Sequence, residues 1–408
     1  MADSVTQYTR QAIGHIRYLS ETIGGRGSST PREREAASYA AAQMEALGVE
    51  AVHLEPFAGA SSTCRPYALA FGAGLAGTLA AWALPGRGGL VTGLILNLMG
   101  AWAMFAESDF RDNWTRHLLP RAPCHNAVGQ LKPSVPVQQR AVLCAHIDTP
   151  RTPLFFSTLA WRRLYSRLVR LALLSLALGA FLYTLGAGLN WTGVRWIAIL
   201  PALVQVLMLA LCLYADTTPH SPGANDNASG VGLLLAMASR LVDRPLAHTE
   251  VWLACTGCEE AGAYGMAAFL DAHAAELGPQ TLFIILDQVG QGQVAYLLKD
   301  GLIVRHATNP GALELAQQAV AALKDQETGQ HAAFGPSTAG ALVATRRGLE
   351  ALTVKTQPQS TNDSDFHSHQ MSDRLEFIDP PALERSQRFT WQLLKELDRG
   401  KMDLTKEP

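Results

Sequence analysis

Apolar and polar positions alternate along this chain in two distinct styles. Four stretches carry no charge for about 18 residues at a time: Tyr67–Leu84, Gly88–Ala106, Leu171–Leu189 and Trp196–Tyr214. Each approaches the ~20 residues that a helix rising 1.5 Å per residue needs to cross a ~30 Å hydrocarbon layer. A short turn, Pro85–Gly88, joins the first two, and about six residues around Asn190–Gly193 join the others. The pattern predicts two transmembrane helical hairpins, at 66–106 and 167–215. The first stretch, ALAFGAGLAGTLAAWAL, is rich in small residues suited to close helix packing in lipid.

Outside these stretches, short apolar runs alternate with amphipathic ones. Thr30-Pro31-Arg32-Glu33 is a capping box with Pro at the first helical position, and predicts a helix to about Leu47, ended by Gly48. Strands are expected at Val49–Leu54, Asn126–Leu131, Ala141–Ala145, Glu250–Cys255, Thr281–Leu286 and Leu349–Val354. Helices are expected at Ala228–Leu241, Tyr264–Leu277, Pro310–Lys324, Ser337–Arg347 and Pro381–Arg399. Such alternation argues for an α/β fold, with a mostly parallel mixed sheet covered by helices on both faces. The polar segments, 1–65, 107–166 and 216–400, then form one discontinuous catalytic domain, and 401–408 a tail.

Composition supports a membrane setting. The chain is 48% hydrophobic and only 17% charged, below the roughly 25% of an average soluble domain. A net charge of −2 gives no support to nucleic-acid binding. The N-terminal segment lacks an apolar run followed by a small-residue cleavage site, so no secretory signal is expected. Arg65, Arg111, Arg116, Arg121, Arg162, Arg163, Arg167 and Arg170 flank the spans on the side of the polar domain, against Arg87 and Arg195 at the tips. That bias predicts a multi-pass plasma- or inner-membrane protein with a cytoplasmic catalytic domain. Six cysteines are scattered along the chain. The Cys255-x-x-Cys258 pair lies on the shoulder of a strand without thioredoxin-like surroundings, which favours structural cysteines over a redox pair.

Acids and histidines cluster just past apolar runs: His146 and Asp148 in AVLCAHIDTP, Asp226 in PGANDNASGVG, Glu259 and Glu260 in TGCEEAG, Asp287 in FIILDQVG, and His367 and His369 in NDSDFHSHQ. Singly, each has a bland reading as a surface pair, a solvated turn or a helix cap. In series, each at a strand end where α/β sheets bind ligands, they supply the imidazoles and carboxylates that two zinc ions require. There is no G-x-S-x-G elbow and no Gly-rich phosphate loop.

The wording of GANDNASGVG and TGCEEAGAYGMAAFL resembles the co-catalytic di-zinc aminopeptidase family that includes bacterial leucyl aminopeptidases, glutamate carboxypeptidase II and the glutaminyl cyclases. The resemblance covers the chain outside the hairpins. It implies two zinc ions per chain, one held by His146 and Asp287, the other by Glu260 and His369, with Asp226 bridging. It further implies Glu259 as general base and Asp148 as acceptor of a hydrogen bond from His146. His367 is the alternative to His369, because relatives show Tyr-His-Thr-Pro where this chain has Phe366-His367-Ser368-His369-Gln370. Ser337-Thr338-Ala339 lacks an acid that many relatives place there. The activity implied is aminopeptidase cleavage of short peptides. Another amide-bond enzyme on the same fold, such as a carboxypeptidase or a glutaminyl cyclase, and a non-catalytic membrane scaffold stand as alternatives. The expected partners are a peptide substrate and the lipid bilayer, with homo-oligomerisation left open.

Overall fold

The computed structural model describes residues 5–323, 340–357 and 366–400. In chain order its elements begin with helices α1 (Gln7–Arg17) and α2 (Pro31–Ala46) and strand β1 (Glu50–Gly59). Helices α3 (Cys64–Ala83), α4 (Gly86–Ser108) and α5 (Trp114–Leu118) follow, then β2 (Ala122–Leu131) and β3 (Gln139–His146). Next come α6 (Leu159–Leu189), α7 (Val194–Ile197), α8 (Ile199–Thr217), α9 (Ser229–Asp243), β4 (Thr249–Thr256), α10 (Tyr264–Leu277) and β5 (Thr281–Leu286). The chain continues with β6 (Gln293–Tyr296), the two-residue strands β7 (Lys299–Asp300) and β8 (His306–Ala307), α11 (Pro310–Leu323), α12 (Gly340–Thr345), β9 (Glu350–Gln357) and α13 (Pro380–Asp398). They fall into two compact units. One comprises residues 1–61, 121–152 and 219–408, the other 62–120 and 153–218.

The first unit is built on a seven-stranded sheet in the order β1-β2-β4-β3-β5-β9-β6. The four central strands β4, β3, β5 and β9 run parallel, while β1, β2 and β6 join antiparallel. The sheet is therefore mixed, and parallel only at its centre. Each connection between successive central strands passes through at least one helix, as parallel pairing requires. Alternate strand residues pack on opposite faces. Leu143, Leu253, Ile284 and Leu352 join the main core with α1, α2, α9, α11 and α13. On the other face Trp252 and Phe283 meet Phe269 of α10 edge to face. The predicted strands and helices all occur, several of them longer than expected. Residues 337–339 and 401–408 lie outside the described residues. Helix α1 is not among the predicted elements although Ala12 and Ile16 recur at helical spacing behind the Thr6 cap, while β6 and the β7–β8 pair are too short to carry a periodic signal.

The second unit holds the four apolar stretches. Three lie in helices long and apolar enough to cross a membrane: Gly86–Ser108, Leu159–Leu189 and Val194–Thr217. The fourth, α3, has 20 residues but falls short in apolarity, because Ala and Gly contribute little transfer free energy each. The two complete hairpins expected from sequence are thus not matched by four equivalent spans. Large apolar side chains face outward along these helices, among them Ile95, Leu98 and Trp102 on α4, Leu174 and Phe181 on α6, and Leu200 and Leu203 on α8. Inside, Gln205 Nε2 donates to Asn97 Oδ1 at 3.1 Å, and Asn97 Nδ2 to the Gly93 carbonyl at 2.9 Å. Gly179 packs against Asn97 so closely that a Cβ there would collide with its side-chain oxygen. Such an inside-polar, outside-apolar arrangement is what helix packing in lipid favours.

Candidate metal centre

The parallel strands bring the candidate residues to one edge. In the β3–β4 register His146 pairs with Thr256, so the Glu259–Glu260 turn follows directly beside it. In β5 and β9 Leu286 pairs with Val354, which sets Asp287 beside Lys355. Asp226 reaches the same place from the loop before α9, on a cis peptide bond to Asn227. Ligand atoms of His146, Asp226 and Glu260 all lie within 4.8 Å of one another.

Asp226 is the centre of this group. Its Oδ1 lies 3.6 Å from His146 Nε2, and its Oδ2 3.4 Å from His369 Nε2. Asp287 Oδ1 lies 3.8 Å from His146 Nε2. Two ligands bound at ~2.0–2.2 Å to a tetrahedral zinc stand roughly 3.3–3.6 Å apart, so these spacings and donor types fit the metal. Asp287 Oδ1 and both carboxylate oxygens of Glu259 are buried and have no hydrogen-bond partner among the described residues. Buried polar atoms in that state ordinarily answer to an ion or water. His367, in contrast, stacks on Phe377 at 3.8 Å and contacts Ser372 Oγ at 3.0 Å. Of the two histidines, His369 is the one beside Asp226.

The surrounding shell is more extensive than the motifs indicated. His146 Nδ1 lies 3.1 Å from the backbone carbonyl of Asp148, while the Asp148 carboxylate is 3.5 Å away. The expected side-chain bond from His146 is therefore directed mainly to the Asp148 main chain. The Asp148 carboxylate instead accepts the Glu259 and Glu260 amides, each at 3.0 Å, and the Ser28 hydroxyl at 2.6 Å. Burial opposes its ionisation, but the His146 contact and these donors hold the carboxyl below its usual range. Glu33 forms one half of the expected capping box, its amide donating to Thr30 Oγ1 at 3.3 Å, but its carboxylate does not turn back to the Thr30 amide. Its carboxylate accepts the Ser29 amide and the Cys258 amide, each at 2.6 Å. Burial and the nearby Asp148 push it up to about 10.

Other residues here were not singled out by sequence reasoning. The buried Arg26 guanidinium donates to the carbonyls of Ile147 at 2.9 Å, Pro222 at 2.9 Å and Gly223 at 3.0 Å. It thus ties the loop that follows His146 to the loop that carries Asp226. Asp373 accepts the Asn225 and Asp226 amides at 2.7 and 2.9 Å. Burial and the Asp226 charge push Asp373 up to about 7. Lys355 pairs with Asp287 Oδ2 at 2.9 Å. Its only sequence signal is a lone charge in the otherwise uncharged run LTVKTQ. Three non-glycine residues at the site adopt left-handed backbone, namely Cys258 before Glu259, Gln288 after Asp287, and His369 itself. Such conformations persist where the surroundings over-determine them. All six cysteines are unbridged, and Cys258 bonds to the backbone of Ala60.

The donors gathered around Asp226 are of the types that hold zinc. Residues 208–394 match the model of peptidase family M28. No curated protein matches it. Solved structures similar to it include a zinc aminopeptidase from Bacillus subtilis, with 14% identity and a TM-score of 0.57 over 97% of this chain and 96% of that one. A glutaminyl cyclase from Porphyromonas gingivalis has 16% identity and a TM-score of 0.54 over 97% and 100%. A Zn-dependent exopeptidase from Parabacteroides distasonis has 15% identity and a TM-score of 0.54 over 97% and 99%. At these identities the likeness is one of fold.

Proposed function

We propose that this chain is a multi-pass membrane aminopeptidase that removes N-terminal residues from short peptides at a two-zinc centre. The observation that carries this reading is Asp226, whose two carboxylate oxygens face different histidines. A carboxylate so placed suits a bridge between two ions. His146 and Asp287 would hold one zinc, and Glu260 and His369 the other. Bound there, zinc acidifies water and polarises a scissile carbonyl.

The chain's own residues supply the proton handling. Burial pushes the Glu259 carboxyl up to about 8, near the pH at which a general base works best. Its unpartnered oxygens are free to take a proton from the attacking water and pass it to the leaving amine. The Asp148 carboxylate fixes the backbone of Glu259 and Glu260 together, so that one can face the metal and the other the water. Asp373 and Arg26 hold the Asp226 loop.

The membrane part of the proposal rests on the three apolar helices, the outward apolar faces and the arginine bias, which support cytoplasmic termini. Zinc analysis of detergent-purified protein, with a panel of aminoacyl amides and N-terminal glutaminyl peptides, tests the reading. About two zinc ions per chain and amide hydrolysis are expected. Pyroglutamyl product with no hydrolysis would replace aminopeptidase by cyclase chemistry.

A further inference from the structure

A second set of metal-capable side chains lies on elements that contribute nothing to the centre around Asp226. His53 and Glu55 are two residues apart on β1, so they share one face of the strand. His273 comes from α10. Glu55 Oε1 lies 2.9 Å from His53 Nε2 and 2.5 Å from His273 Nε2. Ligand atoms of the three residues all fall within 4.8 Å of one another.

His53 is oriented from behind by a hydrogen bond, and His273 by ring packing. His53 Nδ1 lies 2.7 Å from the Ala51 carbonyl. A carbonyl and a carboxylate both only accept, so the ring donates at Nδ1 and at Nε2, and a zinc ion would take the place of the Nε2 hydrogen. Ala51 sits at a register irregularity of β1 with φ +51°, a bulge of the kind that re-aims groups on a strand. The His273 ring is packed by Trp252 and Phe269, with ring centroids at 5.0 and 4.9 Å. A ring nitrogen held by a backbone carbonyl, with the other nitrogen directed at a shared carboxylate, is the usual preparation of a histidine metal ligand.

We propose that His53, Glu55 and His273 form a second zinc site that clamps α10 to the edge strand β1. Two imidazoles and one carboxylate are a recognised tetrahedral zinc set, with water completing the fourth position. The His53 side chain is 47% exposed, and those of Glu55 and His273 16% each. The site is therefore reachable from solvent at one corner and walled by protein elsewhere. Helix α10 begins just after the Glu259–Glu260 turn, so the clamp steadies the helix that follows the catalytic loop. Its role is structural, and it is independent of the aminopeptidase reading.

The experiment uses the full chain in detergent with the first centre disabled by His146→Ala and Asp226→Ala. After equilibration with zinc and gel filtration, about one zinc ion per chain is expected to remain. Adding His53→Gln and His273→Gln should remove it, together with any zinc-dependent rise in the thermal midpoint. Absence of zinc from the His146→Ala/Asp226→Ala protein would overturn the proposal, as would zinc that survives the histidine substitutions. A second measurement needs no disabled centre. Otherwise native protein should lose about one zinc per chain on Glu55→Gln alone, a change that preserves side-chain shape. Unchanged zinc content would show a hydrogen-bonded cluster only.

Discussion

The Glu33 carboxylate and the Cys258 amide, 225 residues apart in the chain, meet at 2.6 Å. The same carboxylate also receives the Ser29 amide. The first turn of α2 is thereby fastened to the turn that presents Glu259.

This relationship makes Glu33 a positioning residue. Glu33→Gln replaces an acceptor oxygen facing an amide with a donor on one side. Zinc content should be retained while kcat falls, by up to about 10²-fold, as expected for small displacements of reacting groups. Steady-state kinetics with metal analysis checks this, and KM should move less than kcat.

Glu259 and Glu260 should separate cleanly. Glu259→Gln is expected to keep zinc and fold but to lose hydrolysis by ~10²–10⁴, the contribution of a general base. Glu260→Ala should lose metal as well as activity. Chelation should inactivate the native protein, and zinc or cobalt should restore it. Near-native hydrolysis by Glu259→Gln would transfer the base role elsewhere.

In the unit of apolar helices, Gln205→Leu leaves the Asn97 side-chain oxygen without its Gln205 donor. A loss of about 0.6–1.7 kcal/mol is expected for an interhelical hydrogen bond in a bilayer protein. Unfolding in mixed micelles measures it, and Gly179→Leu, which drives a side chain into Asn97, should cost more.

The arginine distribution predicts that cysteine probes beside Arg87 and Asn190 are labelled from outside intact cells, while probes at positions 5 and 400 are spared. The reverse pattern would place the catalytic domain outside.

His15 provides a pH signature. Burial pushes its pKa down to about 4, and its Nδ1 contacts the Tyr39 hydroxyl at 2.8 Å. In the unfolded chain His titrates near ~6.5. Between these values the unfolded state binds more protons, so stability should fall as pH drops through about 6.5 toward 4 and be level above that window. Thermal midpoints at pH 7.5 and 5 should differ less in His15→Gln than in the native protein.

Much of this was legible in the sequence. Strands such as Thr281–Leu286 are continuous apolar runs, and their period and length are local properties. His146 ends β3, Asp287 follows β5 and the Glu259–Glu260 pair follows β4, so the ends of the parallel strands bring them to one side of the sheet. The four apolar stretches were equally plain, although the small-residue composition of α3 leaves it short of a span's apolarity.

What only the tertiary structure decided is how distant residues share atoms. His369 rather than His367 stands beside Asp226, because the second ring is taken by Phe377 and Ser372. Glu33 looks like a helix cap in sequence, since a capping box is a four-residue pattern. Its amide does bond to Thr30, but its carboxylate goes to the Ser29 and Cys258 amides, because a buried backbone N–H beside the Glu259 turn needs an acceptor. Arg26, Lys355 and Asp373 have no motif at all. Their partners are loop carbonyls, a carboxylate and loop amides brought near by the sheet. Local periodicity determined the elements and the ligand types, and the requirement to satisfy buried polar groups determined which side chain serves which atom.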